Sequence, residues 1–119
     1  MRDLREESRE RLRHIEKAIA AIGQYTTGEN SDTFSNTPML HDAVLLQFVI
    51  IGEAIVNVES ELLNKYDYPW YKMRSFRNMI AHQYFDIKLS AVWLIIKADL
   101  PMLKKVIKEM LKNEFNSGN

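Results

Sequence analysis

Between residues 77 and 84 the chain reads RNMIAHQY, which brings Arg77, Asn78, His82 and Tyr84 within eight positions. On a helix, Asn78 and His82 are neighbours on one face because they are four apart. Arg77 precedes Asn78 by one residue, roughly a quarter turn around the axis. Arg74 lies three before Arg77 and adds charge on the same side. Tyr84 falls just past the expected helix end, where the chain is freer. A guanidinium matches phosphate oxygens in pairs. An imidazole titrates near neutral pH and can move protons. Arg77 and Arg74 for phosphate, His82 for protons, Asn78 as an orienting amide and Tyr84 as a phenol are the parts needed to cleave a phosphodiester without a metal. The plainer reading is that His82 caps a helix end, Arg77 pairs with a nearby acid and Tyr84 packs on the core. The residue types alone leave both readings open.

The elements that must carry these residues read as helices. Leu4, Ser8, Leu12, Ile15, Ile19 and Ile22 recur at steps of three and four, so the spacing predicts a helix over 3–22, with Gly23 as its stop. QYTTGENSDTFSNT reads as loop. Thr37 and Pro38 then suit the cap and first position of a second helix, expected to reach about Lys65. That helix has one apolar stripe of Leu40, Val44, Phe48, Ile51, Ile55, Val58 and Leu62. Leu45, Val49, Gly52 and Val56 form another. A helix apolar on two faces is buried on two faces, as a central helix, a subunit interface or both. Gly52 leaves room for a second backbone. Pro69 can open a third helix with Trp70, Met73, Phe76 and Ile80 inside, ending near His82. Asp86 can cap a fourth, which Pro101 must kink or restart. The tail NEFNSGN should fray. With no period-two segment of useful length, the fold class is all-α, a bundle of four or five helices in a single domain over residues 1–119.

Composition narrows the chemistry. Of 119 residues, 46% are apolar and 27% charged, enough for one core. Sixteen basic and sixteen acidic residues give zero formal net charge, so attraction to a polyanion must come from local patches. Lys104, Lys105, Lys108 and Lys112 could form one such patch, but read better as the solvated face of the last helix. The absence of cysteine removes disulfides, thiolate metal sites and cysteine nucleophiles, and agrees with a cytoplasmic setting. His14, His41 and His82 lack metal-ligand spacing, and the glycines are too scattered for a phosphate loop. No metal or other cofactor is expected. The charged N-terminus has no signal-peptide core, and apolar runs such as AVWLII are too short to span a bilayer, so no membrane partner is expected.

Arg77, His82 and Tyr84 in the order Arg-x4-His-x-Tyr resemble the motif of HEPN-domain toxins, specifically the HepT-like family. The surroundings extend the likeness. IGEAIVNVESEL resembles the family's central helix, YPWYKMRSFRNMIAHQYFDI its Pro-Trp segment running into the motif, and VWLIIKADLPMLKK the helix that follows. The similarity runs from about Arg2 to Lys108. It implies a HEPN-type bundle that forms a homodimer and acts as a ribonuclease toxin on RNA. It also implies an antitoxin partner, a minimal (MNT-type) nucleotidyltransferase that transfers AMP to Tyr84.

The reaction so implied is attack of an RNA 2′-hydroxyl on the adjacent phosphate, which needs a base, an acid and cationic stabilisation. One chain offers one well-placed histidine, and a two-fold dimer offers two. His82 of each protomer would share the acid and base roles and Arg77 of each would hold the phosphate. Asn78 would orient His82 or the phosphate. AMP on Tyr84 would fill the cleft and compete for Arg77. Two other readings are a non-catalytic module that binds nucleotide or docks the nucleotidyltransferase, and a purely structural helical dimer.

Overall fold

A computed structural model describes residues 3–115. Among these, the regular elements are all helical: α1 (Leu4–Tyr25), α2 (Ser31–Asn36), α3 (Pro38–Val56), α4 (Ser60–Leu63), α5 (Tyr71–Gln83), a 3-10 turn (Tyr84–Asp86), α6 (Leu89–Leu94), a π turn (Ile95–Asp99) and α7 (Leu100–Phe115). Four long rods form the bundle: α1, α3, α5 and the continuous helix from α6 to α7. α3 packs between α1 and α5, and α7 lies on α1. The all-α bundle expected from periodicity is the fold observed.

The apolar stripes explain this packing. Leu12, Ile15, Ile19 and Ile22 of α1 are buried against Val44, Phe48, Ile51 and Ile55 of α3 and Leu103, Ile107 and Met110 of α7. α3 is the element among the described residues long and apolar enough to cross a membrane, a property that counting unbroken apolar runs did not reveal. In the fold it serves as the central helix of the bundle, and the core helix of a soluble protein passes the same test of length and composition.

Several boundaries differ from the sequence reading. α1 passes Gly23 and ends at Thr26, whose hydroxyl donates to the Ile22 carbonyl at 2.8 Å. Leu4, at the start of the predicted stripe, is 63% exposed. The stretch read as loop contains α2, started by a reciprocal cap in which Asn30 and Thr33 bond each other's backbone amides at 2.9 Å. Its Phe34 is fully buried against Trp93. Thr37 starts α3 without a side-chain cap, and Pro38 takes the first turn as expected.

α3 stops at Val56 and not near Lys65. The Asn57 side-chain amide donates back to the Glu53 carbonyl at 2.9 Å, and the Glu59 backbone amide leaves the helical ladder to donate to Ser8 Oγ at 3.0 Å. That bond also satisfies Ser8, a buried hydroxyl in an otherwise apolar stripe. Asp86 sits in the 3-10 turn and caps nothing; α6 begins from Lys88 without a side-chain cap. Of the two outcomes expected at Pro101, a restart is not seen: the helix runs through it and is distorted just before it. The π turn just before it lets the Leu100 amide reach back to Ile95, so the wider turn absorbs the proline. The expected fraying of 113–119 does not hold for Asn113–Phe115, which are helical. Glu114 there bonds Lys65 at 3.1 Å and the Tyr66 hydroxyl at 2.9 Å. Residues 116–119 lie outside the described part.

Candidate functional site

α5 owes its position to a close approach. Trp70, Met73, Phe76 and Ile80 face the core, with Phe76 edge-on to Phe48 of α3 at 4.9 Å between ring centres. The Trp70 indole N–H donates to the Leu63 carbonyl at 3.0 Å and pins the chain entering the helix. Where the helices cross, Gly52 is buried beneath Arg77. A methyl group added there would lie 2.9 Å from Arg77 Cγ, nearer still to Arg77 Cβ, and 3.1 Å from the Met73 carbonyl oxygen. The glycine anticipated as a place for a second backbone therefore receives this chain's own α5. Of the second stripe, Leu45 and Gly52 are buried within the chain, Val49 is half-buried and Val56 is 60% exposed.

Arg77 sits at the border between the buried and solvent faces of α5, and Arg74, Asn78 and His82 are exposed beyond it. The Arg77 guanidinium is already engaged. Nη1 donates to Asn78 Oδ1 at 3.1 Å, and Nη2 pairs with the Glu53 carboxylate of α3. Both members of that ion pair are substantially exposed, at 34% and 48%. Such a pair contributes about 0–1 kcal/mol, so an oxyanion that takes the guanidinium fork in two bonds can displace Glu53 at small cost. Asn78 turns towards Arg77. Among the described residues the His82 ring has no hydrogen-bond partner, and it stands open at the end of α5.

Tyr84 follows in the 3-10 turn and is 40% exposed. Its hydroxyl donates to Asp42 Oδ1, early in α3. That hydrogen bond, foremost, holds the phenol above its ordinary pKa of 10.0. His41 lies beside it, with Nδ1 at 3.1 Å from the Phe34 carbonyl oxygen and Nε2 at 3.7 Å from Asp42 Oδ1. A recess of about 160 Å³ next to the tyrosine is lined by His41, Leu45, Tyr84, Phe85, Ile87 and Leu89. A cleft of about 650 Å³ lies between the end of α1 and the π turn and touches none of the motif.

Sequence reasoning about the motif missed its two acidic partners on α3. Glu53 carried one signal, its place beside the glycine of the helix crossing. Asp42 carried none, because only folding brings it 42 residues along the chain to Tyr84. The two acids bracket an apolar surface. Asp42, Leu46, Val49 and Glu53 recur at steps of four, three and four, and Met39, Leu46 and Ile50 on the same side are 86%, 57% and 36% exposed. Phe85, next to Tyr84, is 94% exposed.

The fold and site define a helical-bundle protein with a basic, imidazole-bearing corner on one helix, facing acids on the central helix. The description "Ribonuclease HepT-like" matches residues 15–110, and the chain belongs to that family. A Methanocaldococcus jannaschii protein named "Gamma-glutamylcyclotransferase and putative RNase" is 36% identical over 113 residues, 91% of this chain and 51% of that protein. The chain thus spans about half the length of that relative. A "Putative RNase" of Caldanaerobacter subterraneus subsp. tengcongensis is 30% identical over 87% of this chain and 93% of its own length. A "Probable ribonuclease HepT" of Thermococcus cleftensis is 28% identical over 85% of this chain and 93% of its own. No solved structure is a significant match to the chain.

Proposed function

We propose that the chain is the toxin of a toxin–antitoxin pair of the type VII kind, a metal-independent endoribonuclease acting on tRNA or mRNA. The observation that carries the reading is the exposure of Arg74, Asn78 and His82 along one side of α5, with Arg77 held at its border by weak and displaceable contacts. The family's name and the relatives named as RNases support the same reading. The 2′-hydroxyl of RNA attacks its own phosphate, leaving a 2′,3′-cyclic phosphate and a free 5′-hydroxyl. One His82 takes the 2′-hydroxyl proton and a second gives a proton to the departing oxygen. Arg77, released from Glu53, neutralises the crowded phosphate, with Arg74 guiding the strand.

The second His82 comes from a second copy of the chain. The exposed side chains of Met39, Leu46 and Ile50 lie on the side of α3 that carries Asp42 and Glu53, so a partner seated there sets the two motifs facing each other across an open cleft. Tyr84 is the point of control. The residue is 40% exposed, open to a nucleotidyltransferase antitoxin, and AMP attached to its hydroxyl sets a bulky anion two residues from His82, in competition with RNA for Arg77.

The test is cleavage of a tRNA pool in EDTA by protein verified by mass as unmodified, beside His82→Ala. Cleavage by the parent with cyclic phosphate ends, absent in the variant, is the expected result. No cleavage across a broad RNA panel would move the assignment to a second reading, a module that binds nucleotide or docks the nucleotidyltransferase. Zero net charge favours that alternative, since nucleic-acid-binding domains are commonly basic. It predicts that His82→Ala weakens partner binding only.

A further inference from the structure

We infer that Asp42 is the general base that takes the phenolic proton of Tyr84 when the tyrosine accepts a nucleotidyl group, so that this chain supplies part of the machinery of its own modification. The inference rests on the reading of Tyr84 as the modified residue.

The geometry is that of a nucleophile already seated on its base. Tyr84 Oη donates to Asp42 Oδ1 across two elements that are distant in sequence. The Asp42 side chain is 51% exposed and Tyr84 40%, so a bulky phosphoryl donor can reach the pair from solvent. Asp42 is carried by the long central helix, a rigid mount for a base. His41 is the other titratable side chain recorded beside it. Its Nε2, at 3.7 Å from Asp42, is beyond hydrogen-bond reach and leaves the carboxylate free to accept the proton.

The step balances as follows. Tyr84 Oη attacks the α-phosphorus of a nucleoside triphosphate brought by the nucleotidyltransferase. The Oη–P bond forms and the bridging P–O bond to the β-phosphate breaks. Pyrophosphate leaves with that electron pair, and the phenolic proton passes to Asp42 and then to water. A carboxylate and a phenol differ by about six pH units in ordinary affinity for a proton, so no transfer occurs before attack. As the Oη–P bond forms, the bridging oxygen becomes far more acidic than a carboxylic acid, and the proton moves downhill. The bond to Asp42 also raises the resting phenol, which keeps phenolate scarce and confines the role of Asp42 to the moment of bond formation.

An arylsulfonyl fluoride makes the same demand on the free chain, since an Oη–S bond forms, fluoride leaves and the phenol must lose its proton. Tyr71, 61% exposed, is the internal reference. We expect Tyr84 to be labelled faster than Tyr71, Asp42→Asn to slow Tyr84 alone by about 10²-fold, and Asp42→Glu to restore part of the rate. Labelling of Tyr84 in Asp42→Asn as fast as in the parent, or faster, would show that Asp42 only tethers the turn. In a second arm, ATP and the cognate nucleotidyltransferase are added and Tyr84 is followed by mass. Slower uptake of AMP by Asp42→Asn supports the role, and equal uptake overturns it. A parent labelled in the Asp42-dependent way that takes up no AMP overturns the modification reading, and the role of Asp42 with it.

Discussion

Arg77 and His82 fail differently when altered. In the proposed reaction His82→Ala removes the proton carrier, and cleavage should fall about 10²- to 10⁴-fold, measured as kcat/KM on a defined RNA. Arg77→Lys keeps the charge and discards the two-pronged fork. Its cleavage rate should fall well below the parent's, while RNA binding, measured by anisotropy, weakens less. The contact with Glu53 adds a further expectation. Because the exposed pair is worth about 0–1 kcal/mol, Glu53→Gln should leave the urea midpoint within error of the parent. Binding of RNA should tighten in that variant as Arg77 loses its resident carboxylate.

At the scale of elements, the site depends on how closely α5 approaches α3. Gly52 sets that distance, since even one methyl group meets Arg77 and the Met73 carbonyl. Gly52→Ala should cost about 1–3 kcal/mol by overpacking, read in urea unfolding, and should cut cleavage further because Arg77 itself is displaced. The crossing could be anticipated from Gly52 amid apolar neighbours. What filled it could not, because a gap suits a partner subunit as well as a neighbouring helix. The early stop of α3 was hidden for a similar reason. Its periodicity continues through Val58 and Leu62, and both are buried as expected, but the backbone between them is diverted by the hydroxyl of Ser8, fifty-one residues away.

For the whole molecule, Leu46 lies exposed on α3 between Asp42 and Glu53, the two acids that bond Tyr84 and Arg77, where the proposed partner would sit. Leu46→Arg should therefore turn the proposed dimer into a 14.0 kDa monomer in sedimentation and abolish cleavage without altering helicity. The end of α7 is closed on the rest of the bundle by Glu114, whose bonds from Lys65 and Tyr66 hold its carboxyl below its ordinary 4.5. A carboxylate with a lowered folded pKa adds stability above its unfolded pKa, and that share is lost as pH falls through the folded value. Glu114→Gln should lower the urea midpoint at pH 7 and by progressively less as the pH falls below 4.5, flattening the acid limb of the stability profile. The effect should be modest, since Lys65 is 58% exposed.

Helix content, the core stripes and the motif of Arg77, Asn78, His82 and Tyr84 were legible in the sequence, because they depend on spacing along one helix, and a helix repeats every 3.6 residues wherever it lies. The reading of α2 as loop was an error of local chemistry, since Asn30 and Thr33 carry the signal of a reciprocal cap. Tertiary structure alone decided what faces the motif. Glu53 reaches Arg77 and Asp42 reaches Tyr84 because α3 and α5 cross at Gly52, and a contact between helices depends on packing angle and rotation, which periodicity leaves free. The same freedom decided that the apolar side of α3 left open is that of Met39, Leu46 and Ile50. The two stripes read from the sequence are mostly covered by the chain itself, whereas Met39, Leu46 and Ile50, which belong to neither, stay open.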